Sequence, residues 1–110
     1  MKILYFEQGK EPAVKNIEND LAVEQQLVGG YIEVYPVNEE ILIICDEEGW
    51  CKGRKVNRVV EDEEGIIHQA IRGNFFVCAN GGEDFKSLTD SQVQKIMRNL
   101  RPGRYPEWIR

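Results

Sequence analysis

Three thiols and one imidazole of this 110-residue chain could in principle make a zinc site: Cys45, Cys51, Cys78 and His68, the single histidine. Structural zinc sites present their ligands in close pairs, about two to four residues apart, so that a short knuckle can aim both at the metal. Here five residues separate the nearest two, and the others fall in apolar runs. Cys45 and Cys78 therefore read as small buried hydrophobes, and no metal site is expected. His68 lies in an apolar run with no Asp or Ser placed by sequence to complete a triad, so it reads as structural. Cys51 adjoins Lys52 and Arg54, cations that lower a thiol pKa, but it has no accompanying base or oxyanion donor. No catalytic residue stands out, and the expectation is a protein that is not an enzyme and carries no cofactor.

The acidic runs fail a similar test. Asp46, Glu47 and Glu48, and then residues 61–64, lack the alternating ligands, the Gly at six and the Glu at twelve that a calcium loop requires. Contiguous acids in a turn point in different directions, which suits solvated hairpin ends. Gly29-Gly30 is not a phosphate loop, because no G-x-x-x-x-G-K or G-x-G-x-x-G pattern surrounds it. Trp50 is more suggestive: an aromatic ring near Lys52, Arg54 and Arg58 is a platform for a planar anionic ligand of nucleotide type. The alternative is that Trp50 folds back over the sheet as a lid on the core. A binding pocket would draw on Glu33, Trp50, Lys52, Asn57 and Arg58.

These residues need a scaffold, and hydrophobic periodicity outlines one. Residues 2–6 (KILYF), 31–35, 40–45 (EILIIC), 66–71 and 75–79 (FFVCA) read as strands, the second and third as an antiparallel pair. DEEG at 46–49 is turn chemistry, leaving residues 50–52 as a strand start or a surface loop. RGN at 72–74 suggests a tight hairpin between the last two strands. A helix over residues 16–28 would end at Gly29 in a left-handed C′ position. A second helix over 90–100 carries a capping box, Thr89 with Gln92, a staple of Leu88 and Val93, and a stripe of Val93, Ile96, Met97 and Leu100. The expected fold class is α+β: one compact domain over residues 1–101, a mostly antiparallel sheet of about five strands with two helices, and an extended C-terminal tail at 102–110.

Composition narrows the function classes. Hydrophobic residues make up 42% and charged residues 30%, a globular balance rather than that of a disordered chain. No run approaches the ~20 apolar residues that span a bilayer, and the N-terminal apolar run is too short for a signal peptide. With an odd number of irregularly spaced cysteines, the expectation is a cytoplasmic protein with reduced thiols and no membrane partner. Net charge is −5, with 15 acids against 7 Lys and Arg in residues 1–64, and 4 acids against 7 in the remainder. An acidic total argues against direct nucleic-acid binding, which needs a basic face to neutralise phosphates.

The run LVGGYIEVYP, a hydrophobic strand, then EEG, Lys52-Gly53 and Asn57-Arg58, resembles a family known as a domain of unknown function and found in small proteins of bacteriophages, conjugative elements and their hosts. The matching positions run from Leu27 through Val28, Gly29, Gly30, Tyr31 and Ile32 to Glu33. They resume at Glu47, Glu48 and Gly49, and later include Gly73 and the Phe75-Phe76 strand. This chain departs at Asp46, where the family pattern has Asn, at Trp50, and at Lys55 and Val56, where it tends to have proline. The resemblance implies a mobile-element origin and a compact α+β fold, with no activity attached. Two functions then compete: a non-enzymatic phage or mobile-element protein, of counter-defence type, that captures a nucleotide-type ligand or a host protein, or an acidic, antirestriction-like mimic of DNA. Tyr105, Trp108 and Ile109 in the tail would pack either on the chain's own core or on a second copy in a homo-oligomer.

Overall fold

The computed structural model describes residues 1–100. The expected tail at 102–110, and any oligomer contact through it, lie outside the described residues. The chain runs β1 (Lys2–Phe6), β2 (Ala13–Asn16), α1 (Leu21–Val28), β3 (Ile32–Pro36), β4 (Ile41–Asp46), β5 (Val56–Glu61), β6 (Ile67–Arg72), β7 (Phe75–Asn80), β8 (Phe85–Lys86) and α2 (Asp90–Asn99). The α+β class is as expected. Eight strands, rather than about five, occur among the described residues.

The main sheet is antiparallel throughout, in the order β2-β1-β7-β4-β3, with β8 on the end of β7. β5 and β6 form a separate two-stranded hairpin. The two central strands are buried almost end to end because both faces of the sheet are covered, which explains the unbroken apolar runs ILIIC and FFVCA. One face carries Ile3, Tyr5, Leu42, Ile44, Phe76 and Cys78 against Val28 of α1. The other carries Leu4, Phe6, Ile43, Cys45, Phe75 and Val77, and meets Val60 and Ile71 of the hairpin and Val93 and Ile96 of α2. Phe6 and Phe75 stack on this second face with centroids 4.6 Å apart.

Both helix ends follow their local chemistry. Thr89 and Gln92 make the reciprocal capping box of α2, and Leu88 and Val93 are buried together in the second core. Met97, counted in the apolar stripe by its spacing, is instead 45% exposed. Gly29 takes φ 80° and ends α1, its N–H bonding Gln25 O. α1 begins later than expected, because Asp20 accepts hydrogen bonds from the Ala22 and Val23 N–H groups and fixes the N-cap there. Ile17 packs on the α1 face from outside the helix, with its N–H bonding Met1 O.

Two corrections concern the segment after the acidic turn. Residues 72–74 do not close a hairpin: β6 pairs with β5, whereas β7 enters the main sheet between β1 and β4. Gly73 (φ 74°) turns the chain from one sheet to the other, its N–H donating to Lys55 O. Residues 56–61, which were not among the expected strands, form β5. Asn57 and Arg58, both buried, sit within β5 where its pairing with β6 shifts register.

Candidate functional site

The segment between β4 and β5 is a compact turn. Gly49 N–H bonds Asp46 O, Lys52 N–H bonds Glu48 O, Gly53 N–H bonds Trp50 O and Arg54 N–H bonds Gly49 O. Asp46, the last residue of β4, anchors it. Its side chain has no solvent exposure; one oxygen accepts the Glu48 N–H at 2.9 Å, and the other accepts Lys52 Nζ at 2.9 Å and Arg54 Nε at 3.0 Å. Burial pushes this carboxyl up, but the hydrogen bonds from Lys52, Glu48 and Arg54 together outweigh it and hold the group below the usual carboxylate range. Lys52 Nζ and Arg54 Nη2 also donate to Gly29 O, each at 3.1 Å, so both cations fasten the turn to the C-terminal end of α1.

This knot explains the glycines of LVGGYIE. A Cβ on Gly30 would lie 2.7 Å from Asp46 Oδ1 and against Lys52 Nζ, and one on Gly29 would lie 2.8 Å from Arg54 Nη2. Gly73 makes room for Arg54 from the other side, since a Cβ there would sit 2.6 Å from Arg54 Cδ. The two glycines after α1 therefore make room for a buried acid and its two partners.

Trp50 projects from the crown of this turn and is 72% exposed, so it is not a lid on the core. The Arg72 guanidinium lies over its ring, 4.3 Å from the centroid, and donates to Arg54 O at 2.9 Å, which ties the stack to the knot. Beside Trp50 opens a groove of about 330 Å³ between the ends of β3 and β4 and the hairpin strand β6. Its lining includes Glu33, Cys45, Glu47, Gln69 and Arg72. Glu33 and Glu47 are exposed, and their carboxylates take no hydrogen bond from the described residues. Tyr31, 65% exposed, is held next to Glu47 by the Glu47 N–H to Tyr31 O bond.

The five residues grouped from the sequence thus divide. Glu33 and Trp50 line the groove, and Lys52 braces the turn that carries Trp50. Asn57 and Arg58 lie elsewhere: Asn57 Nδ2 donates to Phe6 O and Gly73 O, while Arg58 donates to Leu100 O at the end of α2 and covers the Phe6 ring at 5.3 Å. They stitch the hairpin to the sheet and to α2. Arg72 and Gln69 were not singled out, because only the fold brings β6 alongside β3 and β4, and Glu47 stood out only as one acid of a solvated turn.

The thiols and the histidine are not brought together. Cys45 and Cys78 are buried on opposite faces of the main sheet, each pushed up to about 12, first by burial and then by neighbouring carboxylates. Cys51 is exposed. His68 pairs at 2.8 Å with Asp62, six residues earlier, whose carboxyl is lowered by the His68 hydrogen bond and by the Ile66 N–H. Among the described residues no group of three or more His, Cys, Asp or Glu is placed to hold a metal ion. No described helix is long and apolar enough to cross a membrane. A second groove, of about 450 Å³, lies at the opposite end of the same sheet face, where Ile41, Val60, Glu61, Asp62, Lys95 and Arg98 meet.

The glycine-bearing turn, its knot and the sheet behind it all fall within residues 1–101, the span matched by the model of a domain of unknown function, DUF3846. The chain belongs to that family. No curated protein and no solved structure matches it. The description of that family assigns no function, and the chemistry of the groove carries the functional argument.

Proposed function

We propose that this DUF3846 protein is a non-enzymatic binding protein, of phage or mobile-element origin, that captures a nucleotide-type ligand in the groove beside Trp50. The observation that supports this reading is the exposed Trp50 ring, backed by Arg72 and fixed at the groove mouth by a turn that the buried Asp46 braces. An exposed indole held rigid is a stacking platform, because a planar base gains contact area there at little ordering cost. The groove volume suits a small ligand. Sequestering a nucleotide signal in this way needs no nucleophile, base or metal, and would serve counter-defence in a cytoplasmic setting.

Thermal denaturation against a panel of nucleotides, dinucleotides and cyclic nucleotides checks the reading. A ligand at a hundred times its Kd stabilises the native state by about 2.7 kcal/mol. No shift with any member at millimolar concentration would sink it.

A second reading is an acidic interaction protein that mimics DNA. It is favoured by Glu40, Glu61, Asp62 and Glu63 gathering along the larger groove from two separate turns. Lys95 and Arg98 line the same groove and dilute that charge, which places mimicry second. Salt-insensitive behaviour, with no association to DNA-processing enzymes at low ionic strength, would exclude it.

A further inference from the structure

We infer that the Trp50 groove selects guanine over the other bases, through the carboxylate of Glu33; this rests on the nucleotide reading above and names the ligand within that class. Hydrogen-bond parity in the groove favours a ligand edge made of donors. Ionised carboxylates only accept, and the uncommitted polar side chains of the groove are dominated by two of them, Glu33 and Glu47. Asp46 also lines the groove, but its oxygens are taken by Lys52, Arg54 and the Glu48 N–H. Arg72 is engaged with the Trp50 ring and Arg54 O. Gln69 is the one amide among the described lining residues, and it offers a donor and an acceptor alike.

A base stacked on Trp50 therefore presents its edge to acceptors. Guanine carries two adjacent donors on its Watson–Crick edge, N1–H and the N2 amino group, and these match the two oxygens of one carboxylate. Adenine and cytosine each place a single amino donor beside a ring-nitrogen acceptor, and uracil places one N–H between two carbonyls. Set against Glu33, each of those edges brings an acceptor lone pair toward a negative charge, which is a penalty as well as a missing bond. Glu33 is well placed for this role because its backbone is fixed in β3, paired with Cys45 of β4, while its side chain is exposed. Glu47, on the adjoining turn, supplies a further acceptor.

The test is calorimetric titration of the full chain with guanosine, inosine and adenosine monophosphates. The expected order is guanosine first, at least about tenfold tighter than adenosine, as one matched two-bond edge is worth. Inosine, which lacks the N2 amino group, falls between. Glu33→Gln replaces two acceptors by one acceptor and one donor, the pattern that fits adenine, and is expected to lower guanosine affinity and raise adenosine affinity. Equal affinities for guanosine and adenosine, with binding still lost on Trp50→Ala, would overturn the guanine preference and leave the nucleotide reading standing. An unchanged ratio in Glu33→Gln would overturn the role of Glu33. Absence of binding by all three, and by the wider panel, would overturn the nucleotide reading and this inference with it.

Discussion

Replacing Asp46 with Asn should loosen the turn that carries Trp50, and the size of the effect follows from what the carboxylate touches. One oxygen accepts two cationic donors, Lys52 Nζ and Arg54 Nε, and the other accepts the Glu48 N–H, all in a side chain with no exposure. An amide has a single oxygen, so the side chain of the Asp46→Asn variant would either keep the Glu48 bond and turn its NH2 toward two cations, or keep the cations and abandon Glu48. Breaking a buried ion pair from one side costs about 3–5 kcal/mol. Both cations are about a third exposed (35% and 32%) and can rehydrate. The expected loss is therefore about 2–3 kcal/mol, or a fall in Tm on the order of 10 °C or more for a domain of this size.

The pH dependence fixes the sign. The Asp46 carboxyl lies below its ordinary value in the folded protein, so its contribution is fully present above the unfolded value, near 3.8, and fades as pH falls through the lower folded value. Urea unfolding of wild type and Asp46→Asn at pH 7, 5 and 3 should then show a gap that is equal at pH 7 and 5 and narrower at pH 3. A loss below about 0.5 kcal/mol at pH 7, or a gap that stays constant down to pH 3, would refute the ion-knot account.

Gly30→Ala forces a Cβ against Lys52 Nζ and Asp46 Oδ1, and should cost about 2 kcal/mol in urea unfolding; adding Lys52→Ala should recover part of that, and strict additivity of the two changes would contradict the steric argument. Asn57→Ala leaves Phe6 O and Gly73 O without their donor and should destabilise by about 2–3 kcal/mol, against a small effect if Asn57 belonged to a solvated loop. With Cys45 and Cys78 pushed up to about 12 and buried, native protein at pH 8 should take up a maleimide at Cys51 alone, whereas denatured protein takes up three; rapid native labelling at Cys45 or Cys78 would contradict their burial.

Where local pattern and tertiary environment agree, the sequence is readable. ILIIC and FFVCA are apolar without interruption because both sheet faces are covered, and Thr89, Gln92 and Leu88 announce the start of α2 within a few residues. β5 is opaque for the opposite reason: Asn57 and Arg58 interrupt VNRVV, and the groups that satisfy them, Phe6 O, Gly73 O and Leu100 O, lie far away in sequence. β2 is held by backbone pairing to β1 and exposes all four side chains, so it has no hydrophobic signature. The glycines at 29, 30 and 73 stand out from core patterning, but their reason is the passage of Lys52 and Arg54, which only the folded chain places there. Trp50 and Glu33 can be picked out by type and position; Arg72 and Gln69 cannot, because a separate hairpin delivers them.

Calorimetric titration of a guanosine nucleotide into wild type and Trp50→Ala, side by side, bears on the groove without disturbing the fold. Trp50 is 72% exposed, and its removal forfeits little beyond the Arg72 contact, about 0.5–1 kcal/mol of stability. Stacking on Trp50 predicts saturable binding to wild type and a loss of at least about tenfold in Trp50→Ala, as one base–aromatic stack is worth about 1–3 kcal/mol. Equal binding by the two proteins, or none by wild type at millimolar nucleotide, would contradict it.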